Sequence, residues 1–255
     1  MPRRLQVARP LLAVLLAAAL SPAAGCATGG GAAPRPRPQA PSVPPGPGSP
    51  AAAAPSPPAL GPDQARDALV TADDLGEPWE PTTGAATWRD GLLKGTAENP
   101  DCRRLLDVLY TEELFGPEPP RAAAALDDPV DGGQLHHRIV SGAPADLDRA
   151  LAWLAGLPET CGRFRATTAH GGALDVRVAA LRLPGAGDAR QGVRVTVGDD
   201  STVLTVDLAG ARVGGDALGL THGALGPVDG DTTWTAVGTG ADRLARARRH
   251  GHTSI

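Results

Sequence analysis

Reactive side chains are scarce in this 255-residue chain, so each one can be weighed. Three cysteines are present, Cys26, Cys102 and Cys161. From Pro62 onward the serines are Ser141, Ser201 and Ser254, and none sits in the G-x-S-x-G turn that exposes a nucleophile. Ser141, in Val140-Ser141-Gly142, reads as the end of a strand. Six histidines form no metal signature: His136 and His137 are adjacent on an expected strand and point to opposite faces, and His250 and His252 lie in the C-terminal tail. The Asp127/Asp128/Asp131 cluster reads as a loop. Asp229-Gly230-Asp231 imitates the start of a calcium loop, but Trp234 stands where that loop needs glycine and Gly240 where it needs glutamate. Helix capping accounts for it better. Gly238-Thr239-Gly240 has no preceding strand and no third glycine, so it is no dinucleotide turn. These patterns predict no catalytic residue, no metal and no cofactor.

The cysteines carry more. Arg3, Arg4 and Arg9 form a basic head, Leu11–Leu20 an apolar run, and Ala23-Ala24-Gly25-Cys26 a small-residue site ending in a thiol. A membrane-spanning helix needs roughly 20 apolar residues, so the ten here suit a cleaved export signal over residues 1–25. The site resembles the bacterial lipobox, with Ala23 where leucine is commoner, and the resemblance implies that Cys26 receives a diacylglycerol. Two acyl chains anchor stably where one is marginal. The other reading is an ordinary signal peptide with Cys26 incidental. With Cys26 acylated, Cys102 and Cys161 remain as an even pair, which an oxidising compartment would close into a disulfide; the alternative is two buried free thiols.

Residues 26–61 follow as the lipidated cysteine and a tether. Ala27–Gly61 holds eleven prolines, no acid and no aromatic residue, so it is expected to stay disordered and extended, reaching at most roughly 100 Å. The folded part spans residues 62–249, with a frayed tail at 250–255. The whole chain carries 24 basic and 28 acidic residues, a net charge of -4. From Pro62 onward the balance is 19 basic against 28 acidic, or -9. Such acidity argues against nucleic acid as a partner.

Within residues 62–249 the pattern first has helical spacing. Asp63–Leu69 reads as a short helix. Asn99-Pro100-Asp101 is a cap followed by a first-turn proline and acid, opening a helix with Cys102, Leu105, Leu106 and Leu109 on one face that continues to Phe115 or Gly116. A Pro/Ala-rich loop comes next, then a strand over Leu135–Ser141 and a helix over Ala145–Leu157. Cys161 lies just beyond that helix, so the disulfide would staple two helices. The period then changes to two over Ala173–Leu183, Val193–Val197 and Thr202–Leu208, with a phase slip at Ala179-Ala180 that suggests a bulge, a turn at Gly198–Ser201, and another turn at Gly214-Gly215 before a strand at Ala217–Thr221. A last helix begins near Asp229 and ends in basic Arg246–Arg249, with Gly238 and Gly240 weakening its middle. The expected fold class is α+β, an antiparallel β-meander with one dry and one wet face and helices packed on one face.

This layout resembles actinobacterial lipoproteins similar to the PknH-like extracellular sensor-domain family. The residues that carry the resemblance are LVTADDLG at Leu69–Gly76, NPDC at Asn99–Cys102, and a second cysteine after the following helix. It covers Leu69 to Arg248. Those kinase sensor domains carry two disulfides and this chain can make one. The resemblance implies a module that senses a ligand or partner rather than an enzyme. The expectation is thus a lipid-anchored, extracytoplasmic, non-catalytic binding module, partnered by the membrane through its lipid and by an apolar or glycan ligand or an envelope protein. The alternatives are an envelope structural or protein-interaction lipoprotein and, last, a cell-envelope hydrolase. Among the four tryptophans, Trp79, Trp88, Trp153 and Trp234, the candidates for a ligand groove are Trp153, off the apolar stripe of its helix, and Trp79.

Overall fold

The computed structural model describes residues 59–84, 88–168, 171–198 and 202–251. The signal segment, Cys26, the tether up to residue 58, turn residues 199–201 and the last four residues lie outside them. The first helices are α1 (Pro62–Asp67) and α2 (Ala72–Leu75), followed by the two-residue strand β1 (Glu80–Pro81). A π-helical turn (Arg89–Leu93), the short β2 (Gly95–Thr96) and α3 (Pro100–Thr111) come next. The hairpin of β3 (Ala122–Asp128) and β4 (Gly133–Ser141) leads into α4 (Pro144–Thr160). Five strands then run in succession, β5 (Arg163–Thr168), β6 (Ala173–Ala180), β7 (Ala189–Gly198), β8 (Val203–Val213) and β9 (Asp216–Leu225), before α5 (Gly230–Gly251).

All nine strands join one antiparallel sheet in the order β1-β3-β4-β9-β8-β7-β6-β5-β2. The α+β class and the meander are as expected from the period-two runs. The helices are distributed differently from the one-face expectation. Along β8, Leu204, Val206 and Leu208 pack with α3 and α4, while Ala209 and Ala211 pack with α1 and α5. Successive residues of a strand point to opposite faces, so the centre of the sheet is dry on both sides. The sequence hides this because Ala, Gly and Asp line much of the second face and read as a wet one. The first core brings Leu105, Leu106, Leu109, Leu154 and Leu157 against Val176, Val193, Val195 and Val206. The second brings Val237, Ala241 and Leu244 against Leu135, Ile139, Leu218 and Leu220.

Small residues let the helices approach. A Cβ on Gly210 would lie 2.9 Å from Leu114, Leu151 and Phe115, and one on Gly240 would lie 3.0 Å from Leu218 and 3.1 Å from His137. Gly240 therefore seats α5 on the sheet, and α5 runs unbroken through both glycines. Asn99 caps α3 as expected, its Oδ1 accepting from the Asp101 and Cys102 amides at 2.9 and 3.4 Å. The helix stops at Thr111 rather than Phe115, because Glu112 turns left-handed at φ 64°. Strand β6 ends at Ala180 in unbroken register with β7, so the phase slip marks a strand end, not a bulge. The expected Pro/Ala loop contains β3, paired along its full length with β4. Alanine carries little strand preference, so this strand exists by pairing and burial. No described helix is long and apolar enough to cross a membrane.

Candidate functional site

Cys102 and Cys161 are bonded, with their Cα atoms 5.5 Å apart and both side chains buried. Cys102 sits in the first turn of α3 and Cys161 between the end of α4 and the start of β5. The bond fixes the start of α3 against the start of β5. Between these two, at the β2 edge of the sheet, lies a cavity of about 590 Å³ lined by Thr96, Ala97, Glu98, Asn99, Arg103, Phe164, Arg165 and Thr167. Its walls are held from several directions. Arg103 donates from Nε to the Ala97 carbonyl at 3.1 Å, which ties the β2–α3 loop to the helix. Strand β2 pairs with Thr167 and Thr168, and at Gly95 a Cβ would lie 3.2 Å from the Thr167 carbonyl oxygen. Arg165 pairs with Asp175 on β6 at 3.3 Å. Six of the eight lining residues are polar and two are arginines, so the cavity suits a hydrophilic ligand with anionic or hydroxyl groups. Three smaller cavities measure about 460, 350 and 320 Å³.

The two tryptophans expected near a ligand line none of these four cavities. Trp153 donates from Nε1 to Asp101 at 3.1 Å, and the Arg104 guanidinium stacks 4.0 Å from its ring centre. It bridges α4 to α3. Trp79 meets His222 edge-on at 5.4 Å. His136 and His137 do face opposite sides of the sheet, and no group of three His, Cys, Asp or Glu among the described residues is placed to hold a metal.

Three polar clusters were not legible from spacing, since each joins residues distant in the chain. In the first, Asp207 on β8 is fully buried and accepts both Arg194 contacts, at 2.7 and 2.8 Å. Thr233 donates to the same carboxylate at 2.8 Å, so the His222 Nδ1–H must donate to Thr233 at 2.9 Å. Burial pushes His222 down to about 4 despite the neighbouring Asp207 and Asp229 charges. In the second, Ser141 donates to the buried Asp216 at 2.5 Å, and Asp216 also takes Arg248. Ser141 is thereby bound to a carboxylate, not to an imidazole base. In the third, the left-handed Glu112 receives Arg89 at 2.7 Å and His136 Nδ1 at 2.8 Å. Burial acts to raise the Glu112 carboxyl, but the His136 hydrogen bond and the charges of His136, Arg89 and Arg138 outweigh it and hold the group below its ordinary value. His136 Nε2 and Thr221 Oγ1, on cross-strand partner residues, are both buried without a partner. All three clusters lie inside the layers and tie helices to the sheet.

No family model matches the sequence, and no curated protein matches it. Among solved structures, the fold is similar to that of the extracellular domain of PknH from Mycobacterium tuberculosis, at a TM-score of 0.50 and 12% identity, covering 76% of this chain and 100% of that one. A Mog1 E65A mutant and the Saccharomyces cerevisiae Ran-binding protein Mog1p match at TM-scores of 0.27 and 0.26, each at 11% identity over 52% of this chain and over 78% and 77% of theirs. The α+β fold of the PknH domain is shared; at this identity the likeness concerns fold alone.

Proposed function

We propose that this chain is an extracytoplasmic lipoprotein, anchored through acylated Cys26, whose folded part is a non-catalytic binding or sensor-like module. Its ligand is hydrophilic and lies in the cavity between β2, β5 and the start of α3. The observation that carries this reading is the Cys102–Cys161 bond, which locks together the two elements that form the walls of that cavity. A wall fixed covalently keeps the binding geometry preorganised, so less ordering free energy is lost when a ligand enters. The disulfide also favours an oxidising compartment, in line with the export signal and the fold shared with an extracellular domain.

The test is native mass spectrometry of the chain purified from its host, beside Arg103→Ala. A bound mass present in the first and lost in the second is the expected result; a chain that carries no bound mass and binds no cell-wall saccharide fragment refutes the cavity reading. Growth with labelled palmitate is expected to label the wild type and not Cys26→Ala. Equal labelling of both refutes the anchor.

A further inference from the structure

Helix α5 packs over β4, β8 and β9 and leaves the β5–β6 end of its side of the sheet uncovered. Beyond it, every residue of β5 and β6 that points to this side is exposed: Arg163, Arg165 and Thr167 on one strand, Ala173, Asp175, Arg177 and Ala179 on the other. The charge on this floor runs against that of the domain. Strands β5, β6 and β7 hold five arginines and one aspartate, within a folded part whose balance is -9. Arg163 and Arg177 are direct register partners. Neither has an ion pair among the described residues, whereas Arg165 has Asp175 and Arg194 has Asp207. Two like charges directly opposite on neighbouring strands are destabilising, and nothing in the fold repays it. An anion lying across both would.

The shape selects the kind of anion. The floor sits one helix diameter below the ridge of α5, and that ridge begins with the exposed acids Asp229 and Asp231. A flat anionic bilayer would meet those carboxylates before it reached the arginines. A narrow chain can lie on the floor. The flank of α5 that overlooks it carries Trp234, which is 52% exposed. It stands one turn before Gly238, where a Cβ would lie 3.4 Å from Pro184 of the β6–β7 connection. An exposed indole on the helix that flanks a floor of guanidiniums suits a sugar ring that bears acidic groups, the indole taking its apolar face and the guanidiniums its anions.

We infer that the open face of β5 and β6, with Arg163 and Arg177 at its centre and Trp234 at its wall, binds an anionic glycan, a saccharide chain bearing carboxylates or phosphodiesters. This surface adjoins the β2–β5–α3 cavity and shares Arg165 and Thr167 with it, but Arg163, Arg177 and Trp234 do not line that cavity. The full chain in phosphatidylcholine nanodiscs is titrated calorimetrically with oligogalacturonate, with neutral dextran, polyglutamate and phosphatidylglycerol vesicles as comparators. Oligogalacturonate is expected to bind, to weaken on raising salt from about 20 to about 200 mM, and to weaken about tenfold in Arg163→Gln/Arg177→Gln. Trp234→Ala is expected to weaken it further, and Arg103→Ala, which disables the cavity, to weaken it less than the double variant does; a greater loss in Arg103→Ala would place the ligand in the cavity and overturn the inference. Dextran should not bind. The double variant is expected to unfold at the same temperature as the wild type or higher, because it relieves the opposed charges. Failure to bind oligogalacturonate, or equal affinity in the double variant, overturns the inference. So does tighter binding of polyglutamate or of the vesicles to the same arginines, which would make the partner an acidic protein or a lipid surface.

Discussion

His137 should make the stability of this domain depend on pH in a way that one substitution removes. Its ring lies wholly buried between β4 and α5, with Nδ1 accepting from the Val70 amide at 3.2 Å. The remaining proton must then sit on Nε2, which has no partner. Burial, with a smaller contribution from the Arg243 charge, pushes the imidazole from its ordinary 6.5 down to about 3. The folded state therefore refuses a proton that the unfolded chain accepts below 6.5, and stability is complete above that value and falls as the pH drops toward 3. A pH of about 4.5 lies about two units below the pKa of the unfolded imidazole, which is therefore protonated there. At about 1.4 kcal/mol per unit, the loss from this one side chain is about 3 kcal/mol. His137→Asn keeps an acceptor near the Nδ1 position for the Val70 amide and removes the titration. Urea unfolding followed by tryptophan fluorescence at about pH 7.5 and about pH 4.5 gives the two losses. His222 and the lowered carboxyls of Asp74, Glu112 and Asp229 act in the same direction in both proteins, so they cancel. The variant should lose about 3 kcal/mol less than the wild type over this interval. Equal losses would refute the buried neutral imidazole.

Two further outcomes rest on other parts of the structure. Cys102→Ser/Cys161→Ser opens a loop with a sequence separation of 59, for which the chain-entropy model gives about 4 kcal/mol of lost stability, read as a lower denaturant midpoint with a steeper slope, since the freed unfolded chain exposes more surface. A variant within about 1 kcal/mol of the wild type would mean that the bond contributes little beyond its neighbours' packing. Asp207→Ala strips the carboxylate that holds Arg194 and Thr233 from a site with no exposure, and should cost about 3–5 kcal/mol, measured in the same way. A loss comparable to that of a surface substitution would refute the view that this cluster ties α5 to the sheet.

Local chemistry alone decided a good deal. The Asn99 cap and the leucine stripe behind it determined where α3 begins and which face it buries. The alternation over Leu174–Val178, Val193–Val197 and Leu204–Leu208 determined three strands, and the short spacing at Gly198–Ser201 determined the antiparallel pairing of the last two. Cysteine parity pointed to the pair that the structure joins. Tertiary structure decided the rest, since the deciding partners are far apart in sequence. An alanine strand, β3, exists only because β4 pairs with it. Asp207 looked like a wet position until α5 brought Thr233, 26 residues away in the chain, over it. Trp153 became a bridge to Asp101, 52 residues away in the chain. The cavity joins the α3 entry to β5 across a separation that no periodicity encodes. The opposed Arg163 and Arg177 are alike in this: each is an ordinary surface arginine in the sequence, and only the β5–β6 register sets one charge beside the other.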